Sequence, residues 1–123
     1  MKSPNDSFII GRVKSFKYAL RGARLLITTE HSIMVQISMA IIVTILGFVF
    51  DISTMEWMFQ VLAIGLVLVA ESLNTGIEKL SDFVHPEYHD KIGFIKDISA
   101  GAATFAAVIA FIIGLIIYIP KIF

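Results

Sequence analysis

The chain has 123 residues, 57% of them hydrophobic and 16% charged, with a mean hydropathy of +0.85. That balance is too apolar for an ordinary soluble domain of this size and indicates a membrane protein. The net charge is zero, an average that hides an asymmetry along the chain, and no nucleic-acid partner is expected. The sequence has no cysteine, so disulfides, thiolate nucleophiles and cysteine-held metals are excluded.

Residues 1–7 are polar and lack the apolar core and small-residue cleavage site of a signal peptide; they are expected as a disordered start. Residues 8–123 are expected as one membrane domain. Residues 8–29 read as an amphipathic surface helix. Lys14, Lys17, Arg21 and Arg24 make one basic stripe, and Val13, Phe16, Leu20 and Ala23 an adjacent apolar one. Such a helix suits an anionic membrane surface. Residues 33–50 form the first apolar span, interrupted by Gln36, Ser38 and Thr44, which offer hydrogen bonds to neighbouring helices. Residues 51–56 read as a polar turn, and Trp57 just beyond it as an interfacial anchor. Residues 57–78 form the second span. Residues 83–97 read as a polar connector in which Pro86 ends the preceding helix, with His85 a solvated interface residue. Residues 98–119 form the third span, where Ala103, Ala107, Ala110 and Gly114 make a small-residue stripe that permits close helix approach. The fold class is therefore all-α integral membrane: a surface helix plus three transmembrane helices.

Lys and Arg set the orientation. Lys2, Arg12, Lys14, Lys17, Arg21 and Arg24 precede the first span, and Lys79, Lys91 and Lys96 lie near the 83–97 connector, whereas the 51–56 turn has no cation. The positive-inside rule then expects the N-terminus and the connector to be cytoplasmic.

The chemistry concentrates where the second span ends. Glu71, Asn74, Thr75, Glu78 and Asp82 share one helix face, and Glu71 directly follows the apolar run 61–70. A carboxylate there is expensive unless it faces a bundle interior and works there. Lys79 and Ser81, off that stripe, read as solvated surface. On the same side of the membrane stand Glu30, His89, Lys96 and Asp97. Two carboxylates from different helices, Glu30 and Glu78, with a substrate phosphate would suit Mg²⁺. Lys96 is a point charge for phosphate. Glu71, deepest in the apolar setting, is the candidate general base. Neither a GxxxxGK[ST] loop nor a protein-kinase signature occurs in the sequence.

The run Glu71-x-x-Asn74-Thr75-x-x-Glu78-x-x-x-Asp82, then Glu87-Tyr88-His89 and Lys96-Asp97-x-x-x-Gly101-Ala102, resembles the small bacterial integral-membrane diacylglycerol kinase family, which includes undecaprenol kinases. Phe16-x-Tyr18-Ala19-x-x-Gly22-x-Arg24 and the isolated Glu30 fit as well, and the likeness spans about residues 12–119. The resemblance implies a homotrimer in the bacterial cytoplasmic (inner) membrane that transfers the γ-phosphate of MgATP to a lipid hydroxyl. It implies Glu71 as general base supported by Asn74, and Glu30 and Glu78 as metal ligands. It places ATP at Arg12, Tyr18, Glu30, Glu78, Glu87, Tyr88, His89, Lys96 and Asp97, and the lipid at Arg24, Glu71 and Ser72. After Glu30 many relatives read ExNxRxH, whereas this chain has Ser32, Met34 and Gln36. Diacylglycerol is the first expected acceptor and undecaprenol the second. Two readings of other classes compete. An ion conductor needs a polar file through the second span, but residues 58–70 offer only Gln60. A non-catalytic assembly subunit leaves Glu30, Glu78, Lys96 and Asp97 without a purpose.

Overall fold

The computed structural model describes Met1 and residues 3–123. It is all-helical, with α1 over Phe8–Thr29, α2 over His31–Val49, α3 over Thr54–Val84 and α4 over Asp90–Ile122. The last three are long and apolar enough to cross a membrane, which makes the chain an integral membrane protein. Lys2 lies outside the described residues. The rest of the expected disordered start carries a turn, with Asp6 N–H on the Ser3 carbonyl at 3.1 Å, and Ser7 caps α1 by accepting from the Ile10 amide at 3.3 Å. Lys14 also pairs with Asp6 at 3.0 Å.

A single extended residue, Glu30 (φ −102°, ψ 113°), separates α1 from α2. The α2–α3 turn is a helix-ending Schellman arrangement. Ile52 N–H reaches the Gly47 carbonyl at 3.1 Å and Asp51 N–H the Phe48 carbonyl at 3.3 Å, with Asp51 left-handed at φ 49°. A capping box then starts α3: Ser53 Oγ accepts from the Glu56 amide at 3.1 Å, and Glu56 Oε1 accepts from the Ser53 amide at 2.9 Å. This cap corrects the reading of 51–56 as a turn throughout, because Thr54, Met55 and Glu56 form the first helical turn of α3.

The other ends differ from expectation for a related reason. α3 runs to Val84, past 78, and α4 starts at Asp90 rather than 98. Helices of 31 and 33 residues reach about 46 and 50 Å, well beyond a hydrocarbon core of about 30 Å. Their excess length is polar because it stands in water, so polarity marked the membrane boundary and not the helix boundary. His89 caps α4 by accepting from the Lys91 amide at 3.1 Å, and Asp90 lies in the first turn, where a negative charge is favourable. At its other end α4 passes through Pro120 to Ile122.

α4 packs mainly along α3, and α2 against α3. The pattern is inverted relative to a soluble bundle. Gln60, Asn74, Thr75, Ser81 and Ser99 are buried, while Phe48, Phe105 and Phe111 point outward. This suits a lipid surround, where apolar groups need no burial but polar groups need partners. Ser81 is thus buried, not solvated. Ser38 and Thr44 bond to the Met34 and Ala40 carbonyls of their own helix, at 2.9 and 2.7 Å, rather than across helices. Gln60 joins three helices instead: its Nε2 donates to the Val43 carbonyl at 3.0 Å, and its Oε1 accepts from the Tyr118 hydroxyl at 2.5 Å. Three ion pairs fix the antiparallel order: Lys121 to Glu56 at 2.8 Å at the turn end, and Lys79 to Glu30 at 2.9 Å and Lys96 to Asp82 at 2.7 Å at the connector end.

Ala107, Ala110 and Gly114 line an apolar cleft of about 350 Å³ between α2, α3 and α4. A Cβ added at Gly114 would meet nothing within 4 Å. Within one chain, therefore, part of the small-residue stripe faces open space rather than a closely packed helix.

Candidate active site

The α3 stripe arrives as the helical period requires. Asn74 is buried, and its Nδ2 donates to Glu78 Oε1 at 3.2 Å. Its Oδ1 is buried without a hydrogen-bond partner among the described residues. Thr75, also buried, turns its hydroxyl back to the Glu71 carbonyl at 3.0 Å. That bond ties up Thr75 and leaves the Glu71 carboxylate, half-buried, with no side-chain partner among the described residues. An unpaired buried acceptor costs about 1–3 kcal/mol. The unpaired oxygen belongs to Asn74, on the same helix face as Glu71 and Glu78, which makes it a candidate ligand-facing group.

Glu30 reaches this end of α3 through Lys79, whose Nζ stands 2.9 Å from Glu30 Oε1; the Lys79 side chain stays 68% exposed while that of Glu30 is only 20% exposed. Lys79 is thus exposed as expected but also draws a candidate metal ligand to α3. Glu30 and Glu78 each commit Oε1 to these contacts. Among the described residues no group of three or more His, Asp or Glu side chains gathers as a metal site. The donor set still fits Mg²⁺, which takes one or two carboxylates and completes its shell with substrate phosphate and water.

Lys96 projects from the first turns of α4 and pairs with Asp82 of α3 at 2.7 Å. The cation expected to meet phosphate therefore starts from a salt bridge, one that leaves its side chain 35% exposed. Between the helices, His85 donates from Nδ1 to the Glu87 carbonyl at 2.7 Å, and its ring meets that of His89 edge-on at 5.1 Å. This corrects the reading of His85 as merely solvated. Tyr88 is 88% exposed, and Glu87 and Asp97 are exposed too. The remaining expected residues are not brought to the stripe. Tyr18 touches the Met1 carbonyl at 3.4 Å, Arg12 lies over the Phe8 ring at 5.8 Å, and Arg24 and Ser72 make no side-chain bond among the described residues. Each sits on the helix expected for it, on α1 or on α3 beside Glu71.

Sequence reasoning passed over Tyr118 and the pairing of Lys121 with Glu56, 65 positions away. Tyr118 and Gln60 lie 58 positions apart and had no local signal.

A membrane bundle with a carboxylate-and-amide stripe at one helix end, and cations on the adjoining helix, defines a class: a small integral-membrane protein with a charged cluster at one end of its bundle. A profile of the prokaryotic diacylglycerol kinase family matches residues 17–118. The chain is 40% identical to an undecaprenol kinase of Bacillus subtilis over 88% of each protein. It is 28% identical to a diacylglycerol kinase of Synechocystis over 86% of this chain and 61% of that protein, and 24% identical to the diacylglycerol kinase of Escherichia coli K12 over 81% and 82%. The chain belongs to the prokaryotic diacylglycerol kinase family and is a lipid kinase by class.

Proposed function

We propose that this protein transfers the γ-phosphate of MgATP to the hydroxyl of a membrane lipid at the cytoplasmic face of the bacterial inner membrane. One observation carries the reading. On α3 an unpartnered carboxylate (Glu71), a buried amide with a vacant acceptor (Asn74) and an amide-held carboxylate (Glu78) stand in successive turns.

Glu71 takes the proton of the lipid hydroxyl. The hydroxyl oxygen bonds to the γ-phosphorus as the bond to the β–γ bridging oxygen breaks, and ADP leaves. Asn74 Nδ2 orients Glu78, and its Oδ1 accepts from the protonated Glu71 or from the substrate hydroxyl. Glu30 and Glu78 hold the Mg²⁺, which supplies charge neutralisation on the phosphates when bound. Lys96 leaves Asp82 to meet a phosphate oxygen. Glu87, Tyr88, His89 and Asp97 take the nucleoside, with Arg12 and Tyr18 reaching in from α1. Arg24 and Ser72 border the lipid headgroup. In-line transfer then rests on positioning and charge. A homotrimer, with the cleft beside Ala107 and Gly114 closed by a neighbouring copy, completes the reading.

The acceptor order reverses relative to the sequence expectation. The relation to an undecaprenol kinase at 40% identity favours undecaprenol, and the relations at 28% and 24% keep diacylglycerol as the second reading. The test offers each lipid separately, in mixed micelles, with γ-labelled ATP and Mg²⁺. Label in undecaprenyl phosphate supports the first acceptor and label in phosphatidic acid the second. Glu71→Gln should bind ATP yet transfer no phosphate, and unchanged turnover in that variant would remove Glu71 as the base.

A further inference from the structure

The five residues between α3 and α4 hold themselves in shape with two imidazoles. The His85 amide closes α3 on the Ser81 carbonyl at 2.9 Å, and its backbone leaves the helical region (φ −148°, ψ 88°), as the following proline favours. Its side chain then reaches over Pro86 to the Glu87 carbonyl at 2.7 Å. A carbonyl only accepts, so the His85 proton sits on Nδ1. His89 is the opposite case. Its Nδ1 accepts from the Lys91 amide at 3.1 Å, so the neutral ring carries its proton on Nε2. The edge-on contact of the two rings, with centroids 5.1 Å apart, locks the pair. Tyr88, between them in sequence, is 88% exposed and without a partner among the described residues.

We propose that His85 is a positioning residue for nucleotide. Its hydrogen bond to the Glu87 carbonyl and its edge contact with His89 present Glu87, Tyr88 and the His89 Nε2–H as one preformed surface. The inference rests on the nucleotide role given above to Glu87, Tyr88 and His89. His85 itself touches no substrate. It acts by sparing ATP the ordering of the connector, so its loss weakens ATP binding and leaves the chemical step at Glu71 alone.

Two variants separate the two contacts. His85→Phe keeps a ring against His89 and loses the donor; His85→Asn keeps a donor for the Glu87 carbonyl. Steady-state phosphorylation at saturating lipid, with ATP varied, is measured for the wild type, both variants and His89→Ala. A fluorescent ATP analogue gives Kd for the same four proteins. His85→Phe should raise KM and Kd for ATP about fivefold, the worth of one exposed hydrogen bond, with kcat within about twofold. His85→Asn should recover most of that loss. Wild-type KM in His85→Phe, equal losses in both variants, or a fall in kcat at constant KM would each overturn the role of His85 while nucleotide binding at the connector stands. Unchanged Kd in His89→Ala would instead remove nucleotide from the connector, and the role of His85 with it.

Discussion

Gly47→Ala adds one carbon where the α2–α3 turn is tightest. A Cβ on Gly47 would lie 2.6 and 2.8 Å from two carbons of the Trp57 ring and 3.2 Å from Ile52 Cδ1. Ordinary carbon contacts are about 3.5–4.0 Å, so the indole must retreat by about 1 Å. It has little room, because the Phe48 ring sits against it at 4.9 Å and Ile52 is buried at the other side. Overpacking of this kind costs about 1–3 kcal/mol. The assay is reversible unfolding in mixed detergent micelles, titrated with a denaturing detergent and followed by near-ultraviolet circular dichroism of the aromatic side chains, a signal that remains when the sole tryptophan is replaced. The expected result is a midpoint lowered by about 2 kcal/mol of unfolding free energy. A second substitution checks the cause. Trp57→Phe alone loses packing, but it makes room for the added methyl. The double variant should then be less destabilised than the two single losses added together, by at least about 0.5 kcal/mol. An unchanged midpoint in Gly47→Ala, or strict additivity in the double variant, would refute the reasoning.

Three further outcomes follow from named contacts. Tyr118→Phe leaves the buried Gln60 Oε1 without its donor and should cost about 1–2 kcal/mol in the same unfolding assay, whereas Gln60→Leu should cost less, because the Tyr118 hydroxyl keeps the Val43 carbonyl at 3.1 Å. Lys121→Met removes the partly exposed ion pair with Glu56 at 2.8 Å, and should lower the midpoint slightly, less so at high salt, while lipid phosphorylation stays unchanged. Asn74→Leu should nearly abolish phosphorylation yet leave unfolding unchanged, or raise the midpoint by up to about 1 kcal/mol, because it deletes an unsatisfied buried acceptor; a large loss of stability would show that Asn74 is structural.

Much of this was legible in the sequence, and the gaps have physical reasons. The spans follow from apolar runs, and the Glu71–Glu78 stripe from the helical period. The start of α3 carried a local signature, Ser53-x-x-Glu56, which a hydropathy boundary at Trp57 overrides. The start of α4 was hidden because residues 90–97 are polar, and polarity in a membrane protein reports the solvent rather than the backbone. Gln60 illustrates the deeper limit. Its isolation in the second span argues against a polar file, but its partners, Val43 and Tyr118, come from two other helices and no periodicity points to them. Lys96 is similar: its charge was plain, its bond to Asp82 was not.

The two ends of α3 treat their polar groups in opposite ways, and the difference locates function. At the turn end Gln60, Tyr118, Glu56 and Lys121, none of them exposed, are all bonded. Gln60 is bonded at both its oxygen and its nitrogen, Tyr118 bonds to Gln60 and Val43, and Glu56 serves both the Ser53 amide and Lys121. At the connector end the accounts are open: Asn74 Oδ1 is buried and unpaired, Glu71 has no side-chain partner among the described residues, and Tyr88 stands out with none. In a medium where an unmet polar group is costly, a fold able to satisfy one end of a helix has no structural reason to leave the other unsatisfied. That contrast supports the proposed reading of Glu71 and Asn74 as the positions kept for substrate.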